Sequence, residues 1–259
     1  MVNKKVLGLF FTTLLFASCN SSWLPVSIDK SLGEQSKNQL NSDAGFVTIL
    51  DEEEYPKVYG KLKEIRNKIL KSSKLEHKSD FSWEIKVIED DSTLNAFCLP
   101  GGYIYVYTGL LKYLDSEDAL AGVLGHEMAH ADLRHSTDQL VKNMGLSLLV
   151  KYFFGVDNST LLNLGANLLS LSFSRKDERD ADLKSVEYLY STDLDARGAA
   201  VFFQRLKKDK KNPEMVEFLS THPEPENRIE TILNKWKELG AKTGKKNSKE
   251  YQELIQELP

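Results

Sequence analysis

Apolar residues recur at helical spacing through residues 52–75, where Tyr55, Val58, Tyr59, Leu62, Ile65, Ile69 and Leu70 share one face. The spacing predicts an amphipathic helix with Pro56 in its first turn. The period then changes to two. FSWEIKVIED (81–90) alternates as a strand does and stops at Asp90-Asp91-Ser92. Pro100-Gly101-Gly102 marks a turn, and YIYVY (103–107) is a second strand rich in aromatic and β-branched residues. Helical spacing returns at Asp115/Ser116, with Glu117 and Asp118 suited to a first turn, and is read as continuing through 121–136. Further helices are predicted over 175–190, 196–209 and about 224–239, with a loose terminal helix in the last twenty residues or so. This is an α+β pattern, predominantly helical, with a small sheet placed beside the helix that contains 121–136.

Two apolar stretches need separate reading. MVNKK is basic, VLGLFFTTLLFA is apolar, and Ser18-Cys19 follows. That is the build of a signal peptide over 1–18, too short in its apolar part for a comfortable membrane span. FASCN resembles the bacterial lipobox, which implies lipidation of Cys19 and a membrane anchor in the periplasm. Asn20 is not the aspartate that retains enterobacterial lipoproteins at the inner membrane, so the outer membrane is the expected host. Cys98 is then the one remaining thiol, and no internal disulfide can form. Residues 19–45 are rich in Ser, Asn and Gly and read as a tether or loosely docked arm; 46–240 form the domain and 241–259 a tail. The second stretch, 144–173, is interrupted by Lys151, Asp157, Asn163 and Asn167, which favours buried or interfacial helices over membrane spans. A net charge of −4 gives no footprint for nucleic acid.

Candidate chemistry concentrates in AGVLGHEMAHADLRHS (121–136). His126 and His130 are four apart, about 400° around a helix, so both rings point the same way, one turn apart. That spacing can clasp one tetrahedral ion. Glu127 is angled to the side, where its carboxylate can take a proton from water and pass it to a leaving amine. The pattern is H-E-x-x-H, a zinc motif. His135 lies five residues past His130, about 140° away around a continuing helix. It is therefore read as a surface or helix-packing residue. The longer metzincin pattern needs glycine at position 133 and histidine at 136; Leu133 and Ser136 stand there instead. A third ligand is sought in SRKDERDADLKS (174–185). Glu178 can supply a carboxylate oxygen, and Asp182, one turn on, can accept the free N–H of a ligating histidine. The competing reading is a charged, solvated face, given Arg175, Lys176, Arg179 and Lys184 around them. Cys98 is read as a small buried hydrophobe.

H-E-x-x-H followed downstream by S-R-x-x-E-x-x-A-D resembles the zinc peptidase family of the HtpX heat-shock protease and the CAAX prenyl protease. LNAFCLPGGYIYVYTGLL (94–111) and STHPEPENRI (220–229) are similar to two further stretches of that family, in the same order. The likeness covers roughly residues 50–235 and is greatest to exported or lipid-anchored members, since the multiple membrane spans of HtpX and the prenyl protease are missing. It implies a zincin-like domain with one zinc ion per chain. It also implies that 103–107 is the edge strand along which an extended or unfolded polypeptide adds, with Asn95, Tyr103, Tyr105 and Arg228 as substrate-binding residues. His222 would approach the zinc, either to stabilise the oxyanion or to cap the metal at rest; Arg228 would be its neighbour. The task implied is quality control of misfolded envelope proteins. A chaperone or assembly factor with a latent zinc site, and a zinc hydrolase of another substrate, are the alternatives.

Overall fold

The computed structural model describes residues 23–41, 47–144, 171–209, 215–223 and 227–259. The expected signal peptide, Cys19 and the middle of the apolar 144–173 stretch lie outside these residues. α1 spans Ser27–Leu40 and α2 Pro56–Leu70, the latter with proline in its first turn and Val58, Leu62, Ile65 and Ile69 buried, as the spacing predicts. β1 is Glu84–Ile88, β2 Ala96–Leu99, β3 Tyr103–Tyr107. Pro100 and Gly101 (φ +76°) make the corner between β2 and β3, and Gly102 N–H donates to Leu99 O at 3.2 Å. This is the Pro-Gly pattern of a type II turn, which needs positive φ at its third residue. It folds β2 antiparallel onto β3, while β1 runs parallel on the other side, giving the order β1-β3-β2.

Two expectations are corrected here. The sheet has a strand, AFCL, that the pattern did not announce, because four residues ending in Cys-Leu show no alternation. And β3 is the central strand rather than the edge. Its alternate residues serve two cores: Ile104 and Val106 face the main core with α2, while Tyr103, Tyr105 and Tyr107 join Leu32, Leu40 and Leu140 in a second one. Both faces of β3 are covered, so every residue in it is buried.

A short helix α3 (Thr108–Tyr113) leads into α4 (Glu117–Asp132), whose sixteen residues are all buried. α4 is pinned at three heights. Glu117 sits between Lys61 and Lys68 at 3.6 Å each and accepts from Asn247. At mid-length, Gly122 O accepts from Ser185 Oγ at 3.0 Å. At the far end, Asp132 accepts from the Glu76 and His77 amides and from Tyr188 OH. The helix does not run on through the histidine segment as expected. Arg134 adopts φ +60°, and a new helix, α5, starts at His135 and ends at Met144.

α6 (Arg175–Tyr190) begins at a capping box: Ser174 Oγ accepts from the Asp177 amide, and the Asp177 carboxylate accepts from the Ser174 amide. α7 (Gly198–Lys208), α8 (Met215–Thr221), α9 (Arg228–Glu238) and α10 (Ser248–Ile255) follow. The tail is not loose, since Tyr251 is buried and its hydroxyl donates to Leu111 O. Nor is residues 19–45 a slack tether throughout. Within it α1 is packed on the outer face of the sheet, and Asp29, fully buried, holds Arg134 at 2.6 Å. The apolar period within SIDKSLGEQSKNQL is faint, and the partner that fixes this helix lies far along the chain. Among the described residues no helix is long and apolar enough to cross a membrane.

Candidate metal centre

α4 and α6 pack closely against each other. Gly122 and Gly125 have no side chains, and a Cβ at Gly125 would come within 2.8 Å of Ser185 Oγ. Around that contact His126 faces Asp182 and His130 faces Glu178. His126 Nε2 and His130 Nε2 are 3.0 Å apart. Glu178 oxygens lie 3.4 Å from His126 Nε2 and 3.3 Å from His130 Nε2. His222, at the end of α8, adds its Nδ1 at 3.0 Å from Glu178 Oε1 and 3.4 Å from His126 Nε2. The four residues are buried, and their donor atoms all lie within 4.8 Å of one another.

These separations test whether zinc fits. Two donors at ordinary Zn–N or Zn–O bond lengths on a tetrahedral ion sit about 3.3 Å apart, which matches the contacts found. Three imidazoles and one carboxylate are also the donor set that zinc accepts. Nitrogen lone pairs turned on each other in a buried space are otherwise unfavourable.

Electrostatics separate the members. Burial lowers His126, but hydrogen bonds to Asp182 and Glu178 outweigh it and raise its pKa to about 9. Burial holds His130 well below the usual imidazole value. Burial would raise Glu178, yet the surrounding histidines, His222 foremost, hold it well below the carboxylate range. Glu127 is raised by burial, and neither of its oxygens has a hydrogen-bond partner; His222 Nε2 stands 3.7 Å away.

Asp182 Oδ1 lies 3.0 Å from His126 Nδ1, the nitrogen turned away from the cluster. Arg228 donates to both Asp182 oxygens, at 2.8 and 2.6 Å, lies 2.8 Å from Glu178 Oε2, and stacks over the Phe203 ring. At 4% exposure it packs against Glu178 and Asp182. Tyr103 and Tyr105 are buried likewise: their hydroxyls meet Ser82 and Asn41, on the face covered by α1. Asn95 precedes β2, one of the two outer strands of the sheet. Tyr107 N–H donates to Asn95 O, so by antiparallel alternation the backbones of Ala96 and Cys98 point outward. Asn95 Oδ1 accepts from Ala96 N–H, and Cys98 O lies 3.5 Å from Ser136 Oγ. Cys98 itself is buried, as read from its surroundings in sequence. Beside Glu127 and His126 an apolar recess is lined by Val123, Ala199, Phe202, Phe203 and Phe218.

His135 is the residue that sequence reasoning misplaced. It is 5% exposed, and its Nδ1 lies 3.0 Å from His130 Nδ1. Burial lowers its pKa. The only signal for it was a histidine close to the motif, and continuing the helix through Leu133-Arg134 sent it to the wrong side.

Residues 56–236 match the model of peptidase family M48. The chain is 37% identical over 157 residues to the mitochondrial metalloendopeptidase OMA1 of Arabidopsis thaliana, covering 60% of this chain and 32% of that protein. It is 31% identical over 170 residues to the human metalloendopeptidase OMA1, covering 60% and 32%. It is 29% identical over 165 residues to the β-barrel assembly-enhancing protease of Yersinia pestis, covering 56% and 33%. The chain thus spans between about a third and a half of the length of the curated relatives it matches.

Proposed function

The chain belongs to peptidase family M48, and on that premise we propose that it is a zinc-dependent endopeptidase of the bacterial cell envelope. The observation that carries the reading is the buried His126–His130–Glu178–His222 cluster with the unpartnered Glu127 carboxylate beside it. His126, His130 and Glu178 hold one zinc ion, and Asp182 fixes the His126 ring. Bound zinc supplies Lewis acidity to water and to the scissile carbonyl. Glu127 accepts the proton of the attacking water and delivers it to the leaving amine. His222 Nδ1 shares the cluster and would have to move aside before a peptide could take its place there.

Substrates are extended or unfolded polypeptides. On β2 the outward Ala96 O and Cys98 N–H offer main-chain hydrogen bonds to an added strand, with Asn95 at its start. Cys19 carries the lipid that anchors the protein, on the periplasmic side of the outer membrane, after removal of a signal peptide at 1–18. Its task there is quality control of misfolded or unassembled envelope proteins, a reading supported by the likeness to the assembly-enhancing protease of Yersinia pestis.

One observation favours a second reading. With His222 as fourth donor the site is closed, as in a chaperone or assembly factor whose zinc is latent. Glu127→Gln tests the two. Purified wild type and variant are assayed on unfolded casein alongside zinc content. Cleavage by wild type only, with equal zinc in both, is the expected result. No cleavage by either, with casein still bound, overturns the enzyme in favour of the binding module.

A further inference from the structure

His130 presents Nε2 to the donor cluster, so that nitrogen keeps its lone pair for an ion and the ring proton resides on Nδ1. Among the described residues Nδ1 meets neither a carboxylate nor a backbone carbonyl. It points to His135 Nδ1 at 3.0 Å, the two rings meeting edge to face with centroids 5.0 Å apart. One proton and one lone pair make a hydrogen bond between them; two of either would repel. We propose that His135 is a positioning residue of the metal centre: its Nδ1 accepts the His130 N–H and so locks His130 in the tautomer and rotation that offer Nε2 to zinc. The inference rests on the zinc reading above. Asp182 performs the same service for His126 through a charged acceptor, so the two ligating rings are held by partners of different basicity.

The rest of the surroundings agree with this role. Phe173 stacks on His130 at 3.9 Å and fixes the plane of the ring, leaving the 180° flip about Cβ–Cγ for His135 to prevent. His135 reaches its place because α4 ends at Asp132 and Arg134 turns the chain in the left-handed region. A non-glycine residue persists there only where its surroundings over-determine it. Here they do. Arg134 Nε and Nη2 donate to Asp29 at 3.0 and 2.6 Å, and Nη1 donates to Leu24 O at 2.8 Å. The N-terminal helix, the turn, His135 and His130 therefore form one continuous set of contacts ending at the metal site.

The test measures zinc affinity of the full chain by competition with a chromogenic chelator, for wild type, His135→Leu and His135→Asn. Asparagine places an amide oxygen where Nδ1 stood and still accepts; leucine fills the space without accepting. His135→Leu is expected to weaken zinc binding roughly ten- to a hundredfold and His135→Asn by no more than about threefold, with matching thermal unfolding of the two zinc-free variants. Wild-type affinity in His135→Leu, or an equal loss in both variants, overturns the proposal. A wild-type chain that takes up no zinc overturns the metal centre itself.

Discussion

Asp118 is fully buried in the first turn of α4, and neither carboxylate oxygen has a hydrogen-bond partner. The helix N-terminus favours its charge, but burial wins and raises its pKa. The sign follows from linkage. A carboxyl held above its unfolded value costs stability once ionised, and that cost grows as pH rises through the unfolded value and is complete above the folded one. Asp118→Asn is therefore expected to stabilise the fold at pH 7.5 by about 1 kcal/mol, the scale of one buried unmet polar group, with the advantage shrinking toward pH 4. Urea unfolding of both proteins across that range checks it, and a variant that is less stable at pH 7.5 refutes it. At this scale sequence spacing was informative where the partners are local. His126, Glu127 and His130 lie on one turn, and Glu178 and Asp182 on another. It was silent where a distant residue decides: the turn at Arg134 is held by Asp29, 105 positions away, and arginine carries no mark of positive φ.

Helix pairing brings the separate motifs together. Periodicity located α2, α4, α6, α7 and α9 to within a few residues, but which faces meet depends on how closely backbones approach. Gly122 is the clearest case. A Cβ there would lie 2.0 Å from the Ala199 backbone nitrogen, and one at Gly198 would lie 1.7 Å from Asp118 O. α7 thus rests directly on α4, which sets Phe202 and Phe203 beside His126 and Glu127. Gly122→Ala cannot be absorbed by a rotamer change, and a loss of about 3 kcal/mol or more is expected; an unfolding midpoint within experimental error of wild type would refute this packing. The same limit explains the misread strand order. Alternation in YIYVY is as compatible with a half-covered edge as with a strand buried on both sides, until β1 and β2 are known to flank it.

Across the whole molecule, the N-terminal helix is an integral layer. It covers the tyrosine face of the sheet, and its Asp29–Arg134 pair is buried at both ends. Removing one partner of such a pair strands the other charge. Asp29→Ala is accordingly expected to cost about 3–5 kcal/mol and to speed amide hydrogen exchange throughout α1; a loss under about 1 kcal/mol would show that the helix is only laid on the surface. Firm seating of this segment also limits how far the molecule can wander. If Cys19 is the acylated residue, as proposed, four peptide links join it to Trp23, and even fully stretched they reach about 14 Å. Trp23, 52% exposed, is an aromatic of the kind that settles among lipid headgroups. A protein so anchored would stand on a short stalk, with its metal site held close to the bilayer surface.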